Sequence, residues 1–176
     1  MEGLLQPHAI PESKCEVISI YFIVGLPLMG RRQKLIFIVV DFMTKSAHFI
    51  LVRTMYQAPD IARVFISDIV RLHGVPKRII SDRGSMFTRL FWMSFQEALG
   101  TQLNFSTAYH PETDRKTERT NQILEDMLCM YVMYQHKHWE ELFPLVEFTY
   151  NNSYQSTIKM VPFEFLYVRL CRAPLT

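Results

Sequence analysis

Between Val17 and Val52 the chain carries three short apolar runs separated by polar turns, and from Ala58 onward its apolar residues fall at helical spacing instead. A run of strands followed by alternating strands and helices admits few architectures, all of them layered α/β arrangements. Val17 to Val24 is β-branched and aromatic, Leu35 to Phe42 is almost continuously apolar, and Ala47 to Val52 is shorter. Gly30-Arg31-Arg32-Gln33 supplies a polar turn between the first two, so the opening reads as a meander of three antiparallel strands.

The helical stripe comprises Ile61, Ala62, Phe65, Ile66, Ile69, Val70 and Leu72, and Gly74 with Pro76 stops it. Arg78 to Ser81 then reads as a short buried strand, Leu90 to Leu99 as a helix ended by Gly100, and Gln102 to Phe105 as a fifth strand. Strands separated by helices add in parallel to the meander. After Pro111 a long helix is expected from Thr113 to Gln135, with Thr113 or Asp114 as its N-cap. Its first half, to Gln122, has no apolar residue, whereas Ile123, Leu124, Met127, Leu128 and Tyr131 form a stripe in the second. Further helices are expected from Trp139 to Asn151 and from Pro162 to Val168. Residues 1–14 read as an extended lead-in, 15–170 as one domain and 171–176 as a tail. A chain of 176 residues suits one core, burying roughly 70% of its unfolded surface.

With 49% hydrophobic and 20% charged residues the chain is too apolar for disorder. A net charge of +2 does not by itself argue for a polyanionic partner. Cys15, Cys129 and Cys171 are too far apart for metal-binding spacing or a disulfide framework, which suits a reducing nuclear or cytoplasmic setting. The apolar stretch from Val17 to Met29 falls short of the ~20 residues that span a bilayer. The Met-Glu-Gly start lacks a basic region before an apolar run, so neither a membrane segment nor a secretory signal is expected.

Asp82 follows a short strand and precedes Arg83-Gly84, a position favoured by binding and catalytic groups. Glu118 lies in the polar front of the long helix. Thirty-five residues separate the two, enough for a helix, a strand and a returning loop. Two carboxylates brought together repel unless a cation joins them, and oxygen ligands suit Mg²⁺ or Mn²⁺. On spacing alone an Asp82 that caps a turn and a solvated Glu118 remain the competing reading. Arg115, Lys116 and Arg119, with Asn121 and Gln122, cluster on the same polar front, either as phosphate contacts or as a solvated helix face.

Ordered motifs along residues 3–174 resemble the integrase catalytic core of gypsy-class LTR retrotransposons. They include Phe22-Ile23-Val24-Gly25-Leu26-Pro27, Thr44-Lys45-Ser46-Ala47-His48-Phe49 and Ile80-Ser81-Asp82-Arg83-Gly84. Ser106-Thr107-Ala108-Tyr109-His110-Pro111, Thr117-Glu118-Arg119-Thr120-Asn121-Gln122 and Tyr150-Asn151-Asn152-Ser153 continue the pattern. The resemblance implies an RNase H-like α/β fold: a five-stranded mixed sheet, three antiparallel strands and then two parallel additions, flanked by helices. It also implies DNA strand transfer by an Asp, Asp, Glu triad with Mg²⁺ or Mn²⁺, with DNA and further copies of the chain as partners and no small-molecule substrate. Asp82 and Glu118 match the last two triad positions and the metal ligands. With that resemblance Arg115, Lys116, Arg119 and Asn121 are expected to contact DNA, mainly through Lys116, Arg119 and Asn121.

The first triad position departs from the pattern. Where the family reads Ile-Ser-Met-Asp-Phe, this chain reads Ile18-Ser19-Ile20-Tyr21-Phe22. A phenol with a pKa of about 10 brings no charge at physiological pH, so weakened metal binding and impaired catalysis are expected. Arg115 and Lys116 stand where the family has glycine and glutamine, and Cys15 where it has tryptophan. Asp41 is read as structural, and Glu16 as too early on the strand and facing the opposite side from Tyr21. His48, His73 and His110 fall in different elements and are read as separate. Trp92, Phe91, Phe95 and Trp139 are expected in the core. The competing function is a non-enzymatic DNA-binding or dimerisation module derived from an integrase.

Overall fold

The computed structural model describes residues 11–23, 34–81, 85–99, 122, 124, 126–130, 141 and 143–172. The three opening strands form as the sequence predicts: β1 (Val17–Ile23), β2 (Lys34–Asp41) and β3 (Ala47–Arg53) make an antiparallel meander. β4 (Arg78–Ser81) adds to β1 in parallel, giving the order β3-β2-β1-β4. The sheet among the described residues thus has four strands rather than five. The fifth, expected at Gln102 to Phe105, lies outside the described residues.

Both faces of the sheet are covered, which is why the strands are continuous apolar runs rather than alternating ones. On one face Ile18 and Ile20 of β1 and Phe37 and Val39 of β2 pack with Ile61, Phe65, Phe91, Trp92 and Phe95. These come from helices α1 (Ala58–Phe65) and α3 (Ser85–Leu99). Phe65 sits edge-on to Phe91 and Phe95, with ring centroids 5.6 and 5.4 Å away, a favourable aromatic geometry. On the other face Tyr21, Ile23, Ile36, Ile38 and Val40 meet Leu124 and Leu128 and the helix α4 (Phe143–Asn151). Residues 126–130 are helical and Leu124 and Leu128 fully buried, as the stripe in the long helix predicts. The front of that helix and Trp139 lie outside the described residues. α4 begins at Phe143, and α5 (Pro162–Tyr167) follows it.

The first helix departs from one continuous stripe. α1 starts with Pro59 in its first turn, and Asp60 Oδ2 accepts from the Gln57 backbone N–H. It then passes through a π-helical turn, Ile66–Val70, before a last short turn, α2 (Arg71–His73). The wider turn adds a residue, so the phase slips by one. Leu72, expected in the buried stripe, is 54% exposed, and His73 turns inward in its place. Gly74 ends the helix at φ +79°, a conformation that L side chains rarely adopt. Among the described residues no helix is long and apolar enough to cross a membrane.

Candidate active site

Position 21 sits in the strand that anchors the sheet. Tyr21 pairs with Ile38 of β2, while on its other side β1 runs parallel to β4, the last described pair being Ile20 with Ser81. β1 and β4 therefore bring Tyr21 and the end of β4 to one corner of the sheet. Asp82, the next residue of the chain, lies outside the described residues, as do Glu118, Arg115, Lys116, Arg119 and Asn121. Tyr21 is only 4% exposed and lies in the apolar layer of Ile23, Ile38, Leu124 and Leu128. Leu124 and Leu128 belong to the stripe that follows Glu118 in the sequence, and they cover the face that carries Tyr21.

The other acidic residues near β1 have structural work. Asp41 is buried and fully engaged: its carboxylate accepts from the backbone N–H of Cys15 (2.9 Å) and of Thr44 (2.9 Å) and from the Thr44 hydroxyl (2.7 Å). It fixes the turn in which Lys45 takes φ +59° and its ammonium lies 4.3 Å from the centre of the Phe42 ring. Glu16 pairs with Lys77 and accepts from the backbone N–H groups of Glu12 and Ser13. The Lys77 hydrogen bond, with those two backbone donors, holds its carboxyl below the usual 4.5. Burial, then the Asp41 charge, pushes the Cys15 thiol up to about 12, so it stays protonated.

A second polar cluster closes the free edge of the sheet, and the sequence did not reveal it. β3 is the outer strand, whose unpaired backbone groups need partners. Asn151 at the end of α4 provides them for Ala47: its Oδ1 accepts from the Ala47 N–H (2.8 Å) and its Nδ2 donates to the Ala47 carbonyl (2.7 Å). Glu147, one turn earlier, accepts from the Phe49 N–H (2.8 Å) and from His48 Nδ1 (3.1 Å). His48 Nε2 meets His73 Nε2 at 2.8 Å, so two histidines read from the sequence as separate are joined. Burial, then the neighbouring His48, holds His73 below the usual 6.5.

This fold matches solved integrases. The catalytic core of HTLV-2 integrase, solved with magnesium in a trimeric form, superposes with a TM-score of 0.61 over 85% of this chain and 95% of that one, at 15% identity. The simian T-cell lymphotropic virus intasome with PP2A regulatory subunit B56 gamma contains a chain matching at TM-score 0.66 over 92% of this chain and 59% of that one, at 14% identity. In sequence, the Tf2-3 and Tf2-4 transposon polyproteins of Schizosaccharomyces pombe are 34% identical over 165 residues, 94% of this chain. The chain has the fold of these integrase cores and is homologous to a segment of the Tf2 polyproteins. It spans 12% of the length of those polyproteins, and no protein-family model matches it.

Within this integrase-like fold, the segments Thr44 to Phe49 and Tyr150 to Ser153 meet for a physical reason. The first forms the turn and edge strand, and the second, with Glu147, caps that edge across a sequence separation of about 100 residues. Position 21 itself offers no charged oxygen. Divalent metal ions draw on charged oxygens, whereas this site offers a buried phenol in an apolar layer. Among the described residues no three His, Cys, Asp or Glu side chains are arranged to hold a metal ion.

Proposed function

We propose that this chain is the DNA-integration core of a gypsy-class retrotransposon polyprotein in which metal-dependent strand transfer is crippled by Tyr21. Contact with DNA persists through Arg115, Lys116, Arg119 and Asn121. The observation that carries this reading is the burial of Tyr21 in an apolar layer at the corner where β1 meets the end of β4. A carboxylate there would share a cation with Asp82 and Glu118, whereas the phenol supplies neither charge nor an open coordination site. The magnesium in the HTLV-2 core supports Mg²⁺ or Mn²⁺ as the ion of the lineage. The simian virus intasome supports DNA and further integrase copies as partners. Such a core works in the nucleus or cytoplasm.

Loss of a ligand shared by two metals removes several kcal/mol of transition-state stabilisation, about a thousandfold in rate at roughly 1.4 kcal/mol per decade. The test is a strand-transfer assay on a labelled DNA end in Mg²⁺ and in Mn²⁺, comparing the chain as it stands with Tyr21→Asp. Tyr21→Asp should be the more active by about that factor. Equal activity in the two proteins overturns the role given to position 21. If neither transfers strands while DNA binding survives chelation and weakens in Lys116→Ala/Arg119→Ala, the chain is a DNA-binding module without catalysis.

A further inference from the structure

His48 and His73 meet because two features of the fold put them there. His48 is on β3, where position 48 pairs with Val39. His73 turns inward only because the π-helical turn Ile66–Val70 slips the phase of the first helix by one residue. Such turns often occur at functional sites. Their Nε2 atoms are 2.8 Å apart, and on the far side of His48 the Glu147 carboxylate lies 3.1 Å from Nδ1. A carboxylate only accepts, so His48 carries its proton on Nδ1 and turns the Nε2 lone pair toward His73, whose Nε2–H donates to it. Cys15, Asp41 and Ser46 line the same small pocket, whose volume of about 10 Å³ is roughly the room of one water.

From this arrangement we infer that His48 Nε2 and His73 Nε2 form a binding site for a divalent transition-metal ion of imidazole preference, such as Zn²⁺, separate from the triad corner. Two nitrogens bound to one zinc at about 2.0–2.1 Å stand roughly 2.9–3.4 Å apart, so the rings need to open by only a few tenths of an ångström and tilt. His73 must shift its proton from Nε2 to Nδ1 through solvent. The displaced N–H···N bond is then replaced by two metal–nitrogen bonds with no net proton released. Glu147 already takes the role that a carboxylate behind a ligating histidine has, fixing the ring's orientation and tautomer. The protein supplies two ligands, and one water in the pocket with a second from bulk solvent completes a tetrahedral set.

The test is a Zn²⁺ titration of the full chain in excess Mg²⁺, followed by long-range ¹H–¹⁵N correlation of the imidazole resonances. The six histidines are assigned by His→Gln variants. The inference expects the Nε2 signals of His48 and His73 to move together and saturate at one equivalent, while the His48 Nδ1–H is retained. His73→Gln, at a half-buried position, should weaken binding at least tenfold, and Glu147→Gln should weaken it by roughly 10–100-fold. Because Glu147 also holds the Phe49 N–H, the reading of its variant is made only if its unfolding transition without metal stays cooperative. Nε2 signals that stay still, a shift of one imidazole alone, or unchanged affinity in His73→Gln each overturns the site and leaves the pair as a plain hydrogen bond.

Discussion

Replacing Asn151 by alanine should be among the most damaging single changes outside the aromatic core, and the loss can be worked from its bonds. Asn151 is fully buried and makes three hydrogen bonds, to the Ala47 N–H, to the Ala47 carbonyl and to the Glu147 carbonyl, at 2.8, 2.7 and 3.0 Å. The Glu147 carbonyl has other helical options, but both Ala47 groups lie on the edge strand and Ala47 is itself fully buried. Alanine leaves both orphaned, at about 1–3 kcal/mol each, so the loss should be about 4 kcal/mol. For a chain of this size that lowers the melting temperature by roughly 8–16 °C. Urea unfolding followed by circular dichroism measures it. Asn151→Asp should be at least as unstable at neutral pH, because it keeps an acceptor for the Ala47 N–H but turns a buried anion toward two carbonyl oxygens. Ser153→Ala removes an exposed 2.6 Å bond to the Thr149 carbonyl and should change stability by no more than about 0.5 kcal/mol. A loss under about 1 kcal/mol in Asn151→Ala would refute the edge-capping argument.

Other perturbations probe the two core layers and the histidine pair. Phe65→Ala on the opposite face should cost about 3–5 kcal/mol in chemical denaturation, since the ring is fully buried against Phe91 and Phe95. Tyr21→Asp should lower stability without divalent metal by roughly 3 kcal/mol and regain part of it in Mg²⁺, whereas the parent chain should not respond at that site. Thermal shift with and without EDTA reads both. His73 is held below its ordinary 6.5, so the unfolded chain binds this proton more readily than the folded one. The stability it contributes is whole above pH 6.5 and declines as the pH falls through that value, and His73→Gln should flatten this part of the pH–stability curve.

The fold class was legible because strand and helix leave different periods in a sequence. Val17 to Ile23 and Lys34 to Asp41 lie in the middle of a sheet covered on both faces, and so read as unbroken apolar runs. The stop at Gly74 was legible from its chemistry, as only glycine takes that backbone angle without strain. The π-helical turn was not, because Ile66, Ile69 and Val70 keep helical spacing through it and the slip shows only in which residue beyond it, Leu72 or His73, turns inward. The replacement at position 21 was visible as a residue, but its burial beside Leu124 and Leu128 is a property of packing.

The sequence alone determined the order of strands and helices, the apolar runs that cover both faces of β1, and the tyrosine at position 21. Those are local properties: period, turn chemistry and side-chain identity act within a few residues. Only the tertiary structure decided which polar groups meet. Asn151 finds Ala47 across 104 residues, and His48 finds His73 across 25, because a free sheet edge and a slipped helix phase place them together. A side chain near the end of a helix and a histidine on a strand are each unremarkable by themselves. Their function arises from desolvation and hydrogen-bond demand at a contact between distant segments, which no window of sequence contains.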